Sequence, residues 1–166
     1  MNIRLMAVAA CLAGSVQAAP PWVLTTRGYG PVTPGLSVPE ARRLLGTRLH
    51  TFEQQPMDPD CDHLYPASGH PGISLMVQNG RVTRIGADTP DTATRSGVRV
   101  GDTAESVRRR FGDALEIEQH KYDDNGQYFY LWETSRQRGI KFEVIGGRVV
   151  TIYTGDESIR LVEGCA

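Results

Sequence analysis

The sequence predicts an α+β domain made of two tandem helix-plus-antiparallel-meander repeats, forming one sheet with helices packed on one face. Three observations carry this. The segment "GLSVPEARRLLGTRL" (35–49) matches "GDTAESVRRRFGDAL" (101–115) at an offset of 66, through Gly35, Arg42, Arg43, Gly46 and Leu49. Downstream the offset is 67, where Ile73, Val77, Gly80, Arg81, Val82 and Ile85 match Ile140, Val144, Gly147, Arg148, Val149 and Ile152. Each copy carries a short amphipathic helical pattern followed by period-two strands and glycine turns.

Taken in order, residues 1 to 18 have the parts of a secretory signal: Arg4, an apolar run from Leu5 to Val16, and small residues before a cut after Ala18. A run of about a dozen residues is too short to cross a bilayer, which needs roughly 20. Lipidation at Cys11 is the alternative, but Arg4 stands close to Cys11 and leaves little apolar sequence before that cut. The expected location is therefore periplasmic or secreted. Residues 19 to 166 are expected to form a single domain, with repeats at about 28–88 and 96–155 and a C-terminal strand at 158–163.

In the first repeat Ser37 and Glu40 make a capping box, Pro39 suits a first turn, and Gly46 supplies the stop. Val38, Ala41, Leu44 and Leu45 share a face. In the second repeat Asp102 or Thr103 caps, Ala104, Val107 and Phe111 are apolar, and Gly112 ends the helix. Helices this short need a surface to pack on. Ile73-Leu75-Val77 and Ile140-Phe142-Val144 offer it, with tight turns at Asn79-Gly80 and Gly146-Gly147. A further hairpin, "LEIEQHKY-DDNG-QYFYLWE", belongs to the second repeat, and its counterpart between Leu49 and Gly72 is expected to be less regular.

The order "G-x-G-P-V" (28–32), Gly35 to Glu40 and Leu45-Gly46, then a meander, resembles the tandem-repeat fold of the β-lactamase inhibitor protein family; its single-repeat form resembles the assembly lipoprotein BamE. "PASGHPGISLMVQNGRV", "HKY" and "EGC" also resemble stretches of other exported bacterial proteins. The resemblance implies proteins that bind other proteins and carry no catalytic machinery. Repeat one lacks an equivalent of "QYFYLW", so a symmetric binding surface is not expected.

Function is sought where the repeats differ. In "QYFYLWE", Phe129 and Leu131 face one way and Tyr128, Tyr130 and Trp132 the other. An aromatic row on an open sheet face would bind a protein partner, with His120, Lys121 and Gln119 beside it. The alternative is a small ligand or glycan stacked on the same rings. The formal charge of −1 and the lack of a dense basic tract argue against nucleic acid and membrane surfaces as partners. The four histidines are scattered, and Ser68 near His70 is explained by a Pro/Gly loop, so no enzyme is expected. The run Arg108-Arg109-Arg110 reads as a solvated helix face. No cofactor is implied.

Cys61 and Cys165 remain after signal removal and are expected to pair, closing a loop of about 100 residues; chain entropy puts the effect near 4.7 kcal/mol. A metal site from Cys61, His63, His70 and Cys165 is the alternative, without recognised zinc spacing. The mature protein, unfolded without reductant, should take up no maleimide. Two labelled thiols per chain would refute the disulfide.

Overall fold

A computed structural model describes residues 22–165. The signal segment, the cut after Ala18 and Cys11 lie outside the described residues. The chain starts with a short ribbon, β1 (Leu24–Thr25) and β2 (Gly28–Tyr29). There follow α1 (Val38–Leu45), β3 (Leu49–Thr51), β4 (Cys61–Pro66), β5 (Ile73–Gln78) and β6 (Arg81–Ala87). The second half supplies α2 (Ala104–Phe111), β7 (Leu115–Gln119), β8 (Gln127–Trp132), β9 (Gly139–Ile145) and β10 (Arg148–Gly155). All eight strands from β3 onward form one antiparallel sheet in the order β3-β4-β5-β6-β10-β9-β8-β7. Thus β6 and β10 meet at the centre, and β3 and β7 are the edges.

Local chemistry explains the elements. The Glu40 carboxylate accepts from the Ser37 backbone N–H at 2.9 Å and its hydroxyl at 2.6 Å, starting α1. Those bonds hold the Glu40 carboxyl below its usual range. Thr103 caps α2 through the N–H of Ser106, which settles the choice between Asp102 and Thr103. Asn79 and Gly80, like Gly146 and Gly147, all have positive φ, as a type I′ turn requires.

The two halves share contacts at matching positions. Gly35 N–H donates to Val82 O and Val82 N–H to Leu36 O; Gly101 N–H donates to Val149 O and Val149 N–H to Asp102 O. The Arg81 guanidinium donates to the Gly35 carbonyl at 2.9 Å, and that of Arg148 to the Gly101 carbonyl at 2.8 Å. The paired "GRV" stretches therefore tie each hairpin to the turn ahead of its helix. A bulge at Thr83 in β6 and another at Val150 in β10 place Val82 with Ile85, and Val149 with Ile152, on the buried face.

That face holds the main core. Leu75, Val77, Ile85, Phe129, Phe142 and Ile152 pack beneath Ala41 and Leu45 of α1, Val107 of α2, and Leu24, Tyr29 and Val32 of the N-terminal ribbon.

One expectation needs correction. "SIRLVE" is not a strand: Glu157–Arg160 is a 3-10 turn, because the Asp156 carboxylate accepts from Ser158 N–H at 2.8 Å and starts a helical turn. The stretch from Leu49 to Gly72 is less regular than its counterpart, as expected: β3 has three residues where β7 has five, and a 3-10 turn at Phe52–Gln54 follows it. There β4 is six residues long, since Leu64 fills the core as Phe129 does in β8.

Arg81→Ala and Arg148→Ala should each lower stability by about 1 kcal/mol, the worth of one hydrogen bond with a charged donor at an exposed site. Urea midpoints measure this, and two unchanged midpoints would show that the arginine clamps are ornamental.

Candidate functional site

Alternation along the strands gives the sheet a second face, away from the helices, and its chemistry is unlike the core. Strand β8 behaves as its period requires: Phe129 is buried in the main core, Leu131 packs against it, and Tyr128, Tyr130 and Trp132 point the other way. This row was expected to be open. It is covered: Tyr128 is 3% exposed and Tyr130 1%, and Trp132 is half-buried.

The cover is residues 157–165. Ile159 is fully buried among Tyr128, Tyr130, Trp132 and Tyr153. Thr83, at the β6 bulge, offers its carbonyl to the Ser158 hydroxyl at 3.0 Å. Tyr122 donates to the Glu163 carboxylate, and the Cys61–Cys165 disulfide fastens the end of the segment to the start of β4. With each sulfur bound to the other, the metal alternative fails.

Beneath this cover lie two buried cations. Arg84 of β6 donates to the Ser158 carbonyl at 3.2 Å and the Leu161 carbonyl at 2.9 Å, and its guanidinium lies 4.7 Å from the Tyr153 ring centre. Lys141 of β9 is 1% exposed. Its ammonium donates to the Leu161 carbonyl at 3.3 Å and sits 4.4 Å from the Tyr153 ring centre and 5.1 Å from that of Tyr128. Burial, with repulsion from Arg84, pulls the Lys141 pKa down to about 8. Burial and Arg84 also lower that of His63. Gly86 makes room for this arrangement, since a Cβ there would stand 2.6 Å from Ser74 Oγ and 3.3 Å from the Tyr153 ring.

Arg160 lies over the outer end of the row, 4.8 Å from the Tyr130 ring centre and 5.1 Å from that of Trp132. Its nitrogens meet Glu116 at 2.5 Å, Glu118 at 2.8 Å and Glu157 at 3.4 Å. Arg136 holds the other Glu116 oxygen at 2.7 Å. Hydrogen bonds from Arg160, then Arg136, hold the Glu116 carboxyl below its usual range.

His120, expected at a partner surface, is 7% exposed. Its Nδ1 accepts the N–H groups of Tyr122 and Asp123, so Nε2 carries the proton and donates to Glu143 at 2.9 Å. Lys121 does not flank the row from a neighbouring strand, because β7 ends at Gln119 and the connection is long; its ammonium instead stands 5.9 Å from the Tyr122 ring centre. Lys141, Arg84 and Arg160 were not singled out in the sequence. The strand period alone would have put Lys141 on the face shared with Tyr128 and Tyr130.

Ser68 and His70 do not aim at each other. Ser68 Oγ meets Thr47 Oγ1 at 3.0 Å; His70 Nε2 donates to the Leu45 carbonyl at 3.1 Å and Nδ1 accepts from the Tyr29 hydroxyl at 3.0 Å. Among the described residues no cluster of His, Cys, Asp or Glu is arranged to hold a metal ion.

A second, exposed candidate surface lies along α1 and edge strand β3. Arg42, Arg43 and Arg48 line an open depression of about 530 Å³, and none makes an ion pair among the described residues. Next to it stand His50 and Met57, with Phe52 70% exposed. The matching helix differs. Arg108 donates to Gln127 and lies over Phe129, Arg109 pairs with Glu105, and Arg110 donates to the Ser96 carbonyl.

No protein-family model matches this chain, and no curated protein matches it significantly. Among solved structures it is similar to an extracellular protein containing an SCP domain from Bacillus anthracis str. Ames, at 8% identity and a TM-score of 0.48. That likeness covers 90% of this chain and 50% of the other, so the chain spans about half the length of that protein.

Lys141 gives the covered face a pH signature. Unfolded, it holds its proton to about 10.5, whereas folded it releases it near 8, so the unfolded state binds more protons in between and stability rises with pH. Tyr153, whose hydroxyl burial raises above 10.0, acts in the opposite sense beyond that pH, leaving a window of 8 to 10. Lys141→Met should abolish this rise and be at least as stable as the natural chain at pH 7. Denaturant midpoints at pH 7, 8, 9 and 10 provide the check, and parallel curves would contradict the assignment.

Proposed function

We propose that the protein is an exported, non-enzymatic binding module of the bacterial envelope or exterior, built by tandem duplication of a helix-plus-meander unit. The N-terminal signal pattern and the Cys61–Cys165 disulfide support export to an oxidising compartment. The duplicated reading is supported by equivalent helix clamps, by bulges at Thr83 and Val150, and by a mirrored strand order.

The partner surface moves from the aromatic row to the α1–β3 side. One observation carries this: the arginines of α2 are engaged within the fold, while their counterparts Arg42 and Arg43, with Arg48, are left without ion pairs around a depression. Guanidinium groups beside the exposed Met57 suit an acidic protein surface with an apolar centre. Roles as an inhibitor, immunity protein or assembly factor are all compatible with such a surface. A glycan stacked on Tyr128 and Tyr130 would first have to displace Ile159 and Arg160.

Affinity capture from envelope extract, with the natural chain and an Arg42→Glu/Arg43→Glu/Arg48→Glu variant side by side, tests the surface. The variant should keep its melting temperature within about two degrees and lose the captured protein, weakening binding at least tenfold. Identical capture by both chains would count against this surface.

A further inference from the structure

The segment that covers the second sheet face is held as a ligand is held. Its arginine lies over Tyr130 and Trp132 and is met by the Glu116 and Glu118 carboxylates. The residue before it, Ile159, fills an apolar slot and is fully buried. Two backbone carbonyls, those of Ser158 and Leu161, are read by buried cations, Arg84 and Lys141. These are the components of peptide recognition: an anchoring side chain, a charge-matched cradle and main-chain readers. The fit is incomplete. The buried Tyr128 hydroxyl and Trp132 indole N–H have no hydrogen-bond partner among the described residues. A buried donor left in that state costs about 1–3 kcal/mol.

We propose that this face is a binding site for an extended peptide carrying an apolar residue followed by arginine, occupied in cis by residues 157–163 and locked by the Cys61–Cys165 disulfide. The lock opens by thiol–disulfide exchange with a dithiol reductant. One thiolate attacks a protein sulfur and expels the other as a thiol; the second thiol of the reductant then resolves the mixed disulfide. The protein gains two thiols and the reductant becomes its own disulfide. Once freed, the segment competes with an arginine-bearing segment of another protein. This site is separate from the Arg42–Arg48 depression and stands or falls independently of it.

The test uses the full mature chain bearing Arg160→Ala, whose own segment is a weaker competitor. The probe is a fluorescein-labelled peptide of residues 156–163, followed by anisotropy, with Trp132 emission as a second readout. The reduced variant should bind saturably, at least tenfold tighter than the oxidised variant. A peptide with alanine in place of its arginine should bind at least tenfold more weakly. Equal binding by both peptides, or by both redox forms, would overturn the proposal. So would loss of the near-UV circular dichroism signal on reduction, in this variant and in Cys165→Ser alike, because the segment would then be a strut of the fold. A disulfide-free dimer on size exclusion, with no peptide bound, would overturn it in favour of segment exchange between two copies.

Discussion

Everything in this molecule depends on the ladder between β6 and β10. Without it each half would be four strands and one helix of eight residues, too little apolar surface to stand alone. With it, the apolar residues of both halves become one core under both helices and the N-terminal ribbon. Gly86 faces Tyr153 in this ladder, and Arg84 faces Gly155. The joint that completes the core thus also gathers the side chains of the opposite face.

That opposite face carries the greater physical tension. An arginine and a lysine are buried there beside aromatic rings, and their main-chain partners come from a segment that is neither strand nor long helix. Ring faces and carbonyl dipoles offset part of the desolvation of these cations. The covering segment is therefore a third layer of the domain, contributing acceptors rather than apolar bulk alone. Its anchors are spread widely: the Thr83 carbonyl at the bulge, the Glu116–Glu118 edge and the disulfide to β4.

Much of the helix-facing architecture was legible in the sequence, because it rests on short-range rules. Ser37 with Glu40, Gly46, the Asn79-Gly80 and Gly146-Gly147 turns, and the alternation in "ISLMV" and "IKFEV" each signal their structure locally. The covered face was not legible to the same degree. Alternation correctly assigned Tyr128, Tyr130 and Trp132 to one side, but it has no means of saying whether that side meets water. What decides it is a contact across sequence, Ile159 and Arg160 against β8, made by residues whose own pattern looks like a strand. The disulfide was anticipated from cysteine count, but the count does not say that the segment it fastens to β4 lies over the aromatic row. In the same way Arg42 and Arg108 occupy equivalent helix positions and differ only in their surroundings.

The separation of Cys61 from Cys165, 104 residues, also sets an order of events. Chains are synthesised from the N-terminus, so the thiol of Cys61 is made while the whole second half is still to come. The matching sulfur follows β10, after the last strand of the sheet. Correct pairing therefore requires that the complete sheet has been made. The bond that closes the cover can form only after every strand of the sheet exists.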